Sequence, residues 1–302
     1  MYKEKISAWV DAHKDEMIED ICELCRINSE KMPEEEDMDM PFGPGAAECL
    51  DTALDMAEGY GFETCSYDGY VGCVDMNELP RQLDILAHLD VVPAGEGWTV
   101  TEPFKPVVKD GKLYGRGTAD DKGPAVAALY AMRAVKELGI PLKKNVRLIL
   151  GTDEECGSSD IKYYYSQEKE APMTFSPDAA YPLVNTEKGR FPGHFTAKFA
   201  CSDALPKLVS IQAGTKVNVV PGKAKAVVEG FTADVLETAA AETETETGIR
   251  FDFAVEGAVT TVTATGIGAH ASTPEVGNNA LTGLLVFLGK LSRSIWCARQ
   301  QP

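Results

Sequence analysis

Three short segments between Gln82 and Glu155 concentrate the residues able to do hydrolytic chemistry. QLDILAHLDVVPAGEGW (82–98) ends an apolar run with His88 and Asp90. KLYGRGTADDKGPAVAALYAMRAVKELG (112–139) sets Asp120 and Asp121 among glycines. NVRLILGTDEE (145–155) closes another apolar run with Asp153, Glu154 and Glu155. One imidazole and several carboxylates, delivered to the ends of separate strands, make the donor set that proteins gather around a divalent cation. The chemistry expected is metal-dependent hydrolysis.

Each segment also has a plainer reading. In His88-Leu89-Asp90 both polar side chains fall on one side of an extended segment, because strand side chains alternate. His88 can ligate through one ring nitrogen, and a nearby carboxylate can orient a metal-bound imidazole. Taken alone, a His-x-Asp is more often structural. The run 115–124, GRGTADDKGP, says more. Its glycines permit a tight backbone path, and its paired carboxylates precede a helix, so that one can cap while the other binds metal. Two carboxylates would repel a phosphate, so a phosphate-cradling loop is a poor fit. In Thr152–Ser158, one acid can be held ionised on a cation while its neighbour takes a proton from water; a solvated turn is the alternative. Asp178, in Ser176-Pro177-Asp178-Ala179, reads by itself as a turn residue.

The elements that must position these groups follow from periodicity. A helical pattern covers residues 1 to about 26, and an acidic, Pro-containing loop follows over 30–39. A second helix starts near Ala46 and stops at Gly59–Gly61. Short strands are expected over 63–67 and 71–76, and a buried strand over 83–87. A helix spans 124–138, with Pro in its first turn, one apolar side (Val126, Leu129, Tyr130, Ala134, Leu138) and Gly139 as its stop. The next strand is 146–150. Strand, helix, strand in this order implies an α/β fold with a mostly parallel mixed sheet and flanking helices. Ligands of such sheets bind beyond the carboxyl ends of the strands, where His88 and Glu154 stand. After Tyr181-Pro182 the composition changes to Val, Thr and Ala in short runs, with strands over 207–211, 216–220, 223–228, 249–255 and 259–265 and helices near 232–241 and 278–293. This is a second, smaller α+β domain, giving boundaries of 1–185 and 186–302. The Glu-Thr repeats of 239–247 read as a helix end or exposed loop.

With 302 residues, 44% hydrophobic and 25% charged, the chain has an ordinary globular composition. A net charge of −18 argues against nucleic acid or an anionic membrane as partner. Without an apolar run long enough to span a bilayer, or the apolar core of a signal peptide, the expected location is the cytoplasm. The eight scattered cysteines fit free thiols there. Cys22 and Cys25, a C-x-x-C at helical spacing, read as a buried helix face.

Together, AHLDVVPAGEGW, YGRGTADDKGP, TDEECGSSD and SPDAAYP resemble the M20 family of co-catalytic zinc metallopeptidases, over about 5–290. GEGWT, DDKGP and TKVNVVP resemble its bacterial dipeptidase V group, the carnosinase-like Xaa-His dipeptidases. The resemblance implies two Zn2+ ions, with Co2+ or Mn2+ as alternatives. It implies His88 as ligand of one metal, Asp90 as its support, Asp120 as the bridge, Glu155 and Asp178 as further ligands, and Glu154 as general base on the bridging water. It gives Asn218, in KVNVVP, and His270, in GIGAHAS, contacts to substrate, His270 facing the developing oxyanion. His13, on the first helix, and His194, in an expected strand, match nothing functional and are expected to be structural or exposed. The second domain takes a lid- or dimerisation-like role, with a small peptide as substrate and a monomer slightly favoured. Relatives of this type resume the catalytic domain after the second one and supply another metal-binding histidine. The chain is therefore expected to be truncated at its C-terminus and weakly active or inactive as it stands. The alternatives are a deacylase of N-acyl amino acids and an inactive remnant.

Overall fold

In the computed structural model, the described residues are 2–32, 40–95, 97–186, 188–189, 191–198 and 203–299. Most of the acidic loop expected over 30–39 lies outside them. The chain divides into two compact units, Met1–Asn185 and Thr186–Pro302.

In the first unit, helices Tyr2–Ala12 (α1) and Lys14–Arg26 (α2) stand where one helix was expected. The break is at His13, whose ring stacks on Trp9 with centroids 3.8 Å apart. Helix Pro44–Gly59 (α3) begins two residues earlier than expected, with Pro in the first turn, where its missing N–H leaves no hydrogen bond unmade. Strands Glu63–Tyr67 (β1), Val71–Asp75 (β2) and Arg81–His88 (β3) follow, then a small hairpin, Val107–Lys109 (β4) with Lys112–Tyr114 (β5). Helix Lys122–Glu137 (α4), strand Asn145–Gly151 (β6), a 3₁₀ turn at Glu154–Cys156, helix Ser159–Gln167 (α5) and strand Met173–Phe175 (β7) complete the unit.

The five-stranded sheet has the order β1-β2-β6-β3-β7. It is mixed: β3 runs parallel to β6 and β7, while β1–β2 and β2–β6 are antiparallel. The parallel register sets His88 opposite Gly151, so β3 and β6 end level with each other. The apolar stripe of α4 (Val126, Leu129, Tyr130, Ala134) is buried, and Leu24, Leu50, Leu54, Val74, Ile85 and Leu148 share its core. Each Val, Leu and Ile among them contributes about 1.5–3 kcal/mol on burial. Cys22 and Cys25 are buried on α2.

The second unit contains strands Lys207–Ala213 (β8), Val219–Val220 (β9) and Lys223–Glu229 (β10), helix Ala233–Thr247 (α6), strands Arg250–Glu256 (β11), Val259–Thr265 (β12) and Ala269–His270 (β13), and helix Ala280–Arg299 (α7). Its antiparallel sheet, β11-β12-β10-β8, buries Ala226, Val228 and Val262 with Leu236, Ile249, Leu284 and Phe287. Two expectations need correction. The strand expected over 216–220 is reduced to β9, because residues 216–219 form a turn in which the Val219 N–H meets the Lys216 carbonyl at 3.3 Å. Residues 239–247 are the end of α6, one of the two readings expected, with Thr243 buried and its hydroxyl donating to the Ala239 carbonyl at 2.7 Å. His194, expected in a strand, is exposed in backbone outside any strand, two residues after Pro192, which has no N–H to give a ladder.

Candidate metal centre

His88 is the last residue of β3 and is buried to 3% exposure. Its Nε2 lies 3.1 Å from Asp120 Oδ1, 3.5 Å from Asp178 Oδ2 and 3.9 Å from Glu154 Oε2. Its Nδ1 lies 3.0 Å from the Asp90 carbonyl oxygen and 3.3 Å from Asp90 Oδ1. One ring nitrogen is thus fixed from behind while the other points into carboxylates. Two donor groups share this histidine: His88 with Asp120 and Glu155, and His88 with Glu154 and Asp178. In each, the donor atoms lie within 4.8 Å of one another.

The sheet explains the convergence. β3 and β6 end side by side, so the segments leaving them meet. The Asp90 carboxylate, 1% exposed, accepts the backbone N–H of Glu154 at 3.1 Å and of Glu155 at 3.0 Å. It therefore holds the acidic 3₁₀ turn as well as steadying His88. Asp160, fully buried at the start of α5, accepts the N–H groups of Thr152 (2.7 Å) and Asp153 (3.0 Å) and fixes the turn's other side. Asp153, also buried, receives Lys31 Nζ at 2.7 Å.

The loop before α4 supplies Asp120. Asp121 sits at the N-cap of that helix without capping it. Its Oδ2 instead accepts the His88 N–H at 3.1 Å, while Oδ1 is buried without a partner. Burial pushes the Asp121 carboxyl up to about 7, against the pull of His88. Lys122, fully buried, donates to the carbonyls of Leu24 (2.9 Å) and Ile27 (2.8 Å) and ties the loop to the end of α2. These supporting roles of Asp121, Lys122, Asp153 and Asp160 escaped the sequence reading. Only the adjacency Asp120-Asp121 gave a signal, and it suggested a cap.

The electrostatics call for a cation. Burial raises the Glu154 and Glu155 carboxyls, while the hydrogen bond to His88 lowers that of Asp120. Burial opposes charge on His88, but hydrogen bonds to Asp120, Asp178 and Asp90 outweigh it and raise the imidazole. The ring is then a positive group facing four acids, which is the position a divalent ion would relieve. The spacing fits too. Tetrahedral ligands at zinc-like bond lengths stand about 3.3 Å apart, between the 3.1 and 3.5 Å separating Nε2 from Asp120 and Asp178.

The family model described as peptidase family M20/M25/M40 matches residues 85–278. The chain belongs to this family. The matched span takes in every residue of the acidic cluster. The M20 chain is 36% identical over 279 residues to a Beta-Ala-Xaa dipeptidase of Lactobacillus delbrueckii subsp. lactis, covering 92% of this chain and 59% of that protein. It spans about three-fifths of the length of the curated relatives it matches. Among solved structures, human carnosine dipeptidase 1 superposes with a TM-score of 0.52 at 26% identity, over 59% of this chain and 41% of the other. The di-peptidase Dug1p of Saccharomyces cerevisiae gives 0.50 at 14% identity, over 96% and 76%, a likeness of fold alone.

Asn218 and His270 belong to the second unit. The β9–β13 ladder sets His270 opposite Val219, and the Asn218 carbonyl accepts the Ala271 N–H at 2.8 Å. The ladder carries His270, and Asn218 is the residue immediately before β9. His270 is exposed, with Nδ1 2.6 Å from the Ser272 hydroxyl. His13 stands over Trp9, and among the described residues no helix is long and apolar enough to cross a membrane.

Proposed function

We propose that this chain carries the metal centre of a dipeptidase that hydrolyses the peptide bond of small dipeptides. The observation that carries the reading is His88, shared by two carboxylate donor groups at the level ends of β3 and β6. Zinc suits one imidazole with carboxylates, and Co2+ or Mn2+ are substitutes. His88, Asp120, Glu155 and Asp178 would hold the metal. A divalent ion there would polarise the scissile carbonyl and lower the pKa of its water.

The remaining work belongs to side chains of the chain itself. Glu154 accepts the proton of the attacking water and passes it to the leaving amine. Its half-exposed carboxylate, raised by burial, reaches the cluster with Oε2 while its backbone N–H is held by Asp90. Asp90 fixes the tautomer and aim of His88. Asn218 and His270 are proposed contacts to substrate, His270 as donor to the oxyanion. In this reading residues 1–185 form the metal-binding catalytic domain and 186–302 a lid domain. The free thiols of the described cysteines suit a cytoplasmic setting.

The test is turnover of Xaa-His dipeptides, including β-Ala-His, beside N-acetyl and N-succinyl amino acids, with zinc supplied. Glu154→Gln is expected to lower dipeptide turnover by roughly 10²–10⁴-fold while bound zinc stays constant. Faster cleavage of the N-acyl substrates would replace dipeptidase with deacylase. Unchanged turnover in Glu154→Gln would remove the base from the scheme.

A further inference from the structure

The hairpin β1–β2 pairs Cys65 with Cys73 directly across the ladder. Opposed residues of an antiparallel pair point to the same face, with Cα atoms about 4.5–5.5 Å apart. A disulfide spans roughly 4.4–6.8 Å between Cα atoms, so the backbone already has the right separation. Both cysteines are free thiols, and Cys73 is the neighbour that acts most strongly on the Cys65 thiol. Cys65 is exposed on the outermost strand of the sheet, while Cys73 is fully buried against Val71, Ile149 and Tyr164.

We propose that Cys65 and Cys73 form a reversible oxidation site, in which hydrogen peroxide converts the facing thiols into a cross-strand disulfide. The two sulfurs divide the labour by their surroundings. The hydrogen bond from Cys73 brings the Cys65 thiol down to about 7, against burial, and the Arg147 guanidinium adds to the effect. The same hydrogen bond and burial push the Cys73 thiol well up. An accessible, low-pKa thiolate beside a second cysteine is the arrangement that reacts with peroxide and then resolves. The other described helix cysteines contrast with it. Cys22, Cys25 and Cys49 are buried, and burial pushes Cys25 up to about 12.

The chemistry closes. The Cys65 thiolate attacks one peroxide oxygen; an S–O bond forms, the O–O bond breaks, and the leaving hydroxide takes a proton to become water. Cys73 loses its proton and attacks the Cys65 sulfur; the S–S bond forms, the S–O bond breaks, and a second water leaves. The two thiols give up two electrons and the peroxide is reduced. A dithiol reverses the step by exchange.

The test uses the purified chain, treated with hydrogen peroxide, blocked with an alkylating agent under denaturing conditions and mapped by mass spectrometry without reduction. The expected result is a Cys65–Cys73 cross-linked peptide that disappears on treatment with a dithiol. In Cys73→Ser, Cys65 is expected to stop at the sulfenic acid and to be trapped by dimedone. In Cys65→Ser, Cys73 is expected to stay unoxidised. Oxidised Cys65 with Cys73 still alkylatable in the unsubstituted chain would overturn the proposal, as would Cys65 linked to a second chain. The map of the unsubstituted chain decides the matter even if neither variant folds.

Discussion

Asp90 does two jobs with one carboxylate: it stands 3.3 Å behind the His88 ring and anchors the backbone of Glu154 and Glu155. An amide at this position keeps one acceptor oxygen but offers N–H groups where a second backbone donor needs an acceptor. Asp90→Asn is therefore expected to loosen the acidic turn and the histidine together. Groups that orient metal ligands typically contribute 10–100-fold to affinity, and competition against a zinc chelator should show a loss of about that size. Wild-type affinity in the variant would mean that Asp90 holds neither group. A second residue-scale prediction concerns Cys65, whose thiol is brought down to about 7. Its alkylation rate should rise with pH to half its plateau near that value. Cys73→Ala should move the inflection up, since the hydrogen bond that lowers it is gone. An inflection unmoved by the substitution would assign the shift to some other neighbour.

The acids of the cluster arrive on turns between elements, and those turns are held by close backbone approach. Gly123, in the first turn of α4, gives its N–H to the Gly117 carbonyl at 3.1 Å. A Cβ on Gly123 would stand 2.1 Å from the Thr118 carbonyl oxygen, a backbone atom that moves only if the loop moves. That loop carries Asp120 and Asp121. Gly123→Ala should cost about 1–3 kcal/mol by overpacking and should also weaken zinc binding, read by denaturant titration and by chelator competition. Full stability with full affinity would show that the loop tolerates the shift. The elements themselves were largely legible in the chain. β3, α4 and β6 announce themselves by apolar periodicity, by Pro and Gly at the helix ends, and by acids where the apolar runs stop. What stayed hidden depends on contacts distant in sequence. The pairing of Asp121 with the His88 backbone joins residues thirty-three apart, and no local pattern encodes it. The shortening of the strand at 216–220 came from a turn over 216–219, closed by the Val219 N–H on the Lys216 carbonyl, which competes with a β-rich run for the same backbone.

At the scale of the whole chain, each unit buries a core of its own. Leu24, Leu50, Leu129 and Leu148 belong to the first; Leu236, Ile249, Leu284 and Phe287 belong to the second. The His88 donor groups are drawn entirely from the first unit. A ligand that binds only the folded state stabilises what it binds by mass action, about 2.7 kcal/mol at a hundredfold excess over its dissociation constant. Zinc should therefore protect the first unit's sheet and leave the second unit's sheet to its own stability. Hydrogen exchange resolves the two. Amides of β3 and β6, and of the turn at Glu154–Cys156, are expected to exchange more slowly when zinc is added, and to return to the metal-free rate with a chelator. Amides of β10 and β12 are expected to keep one rate throughout. Their ladder pairs Lys223–Glu229 with Val259–Thr265 and includes no residue of the donor groups. The Asp90→Asn chain should need more zinc for the same slowing, which ties the protection to the cluster rather than to metal adsorbed on an acidic surface. Equal slowing in both sheets would mean that zinc acts on the chain as a whole, and the assignment of the metal centre to the first unit would fall.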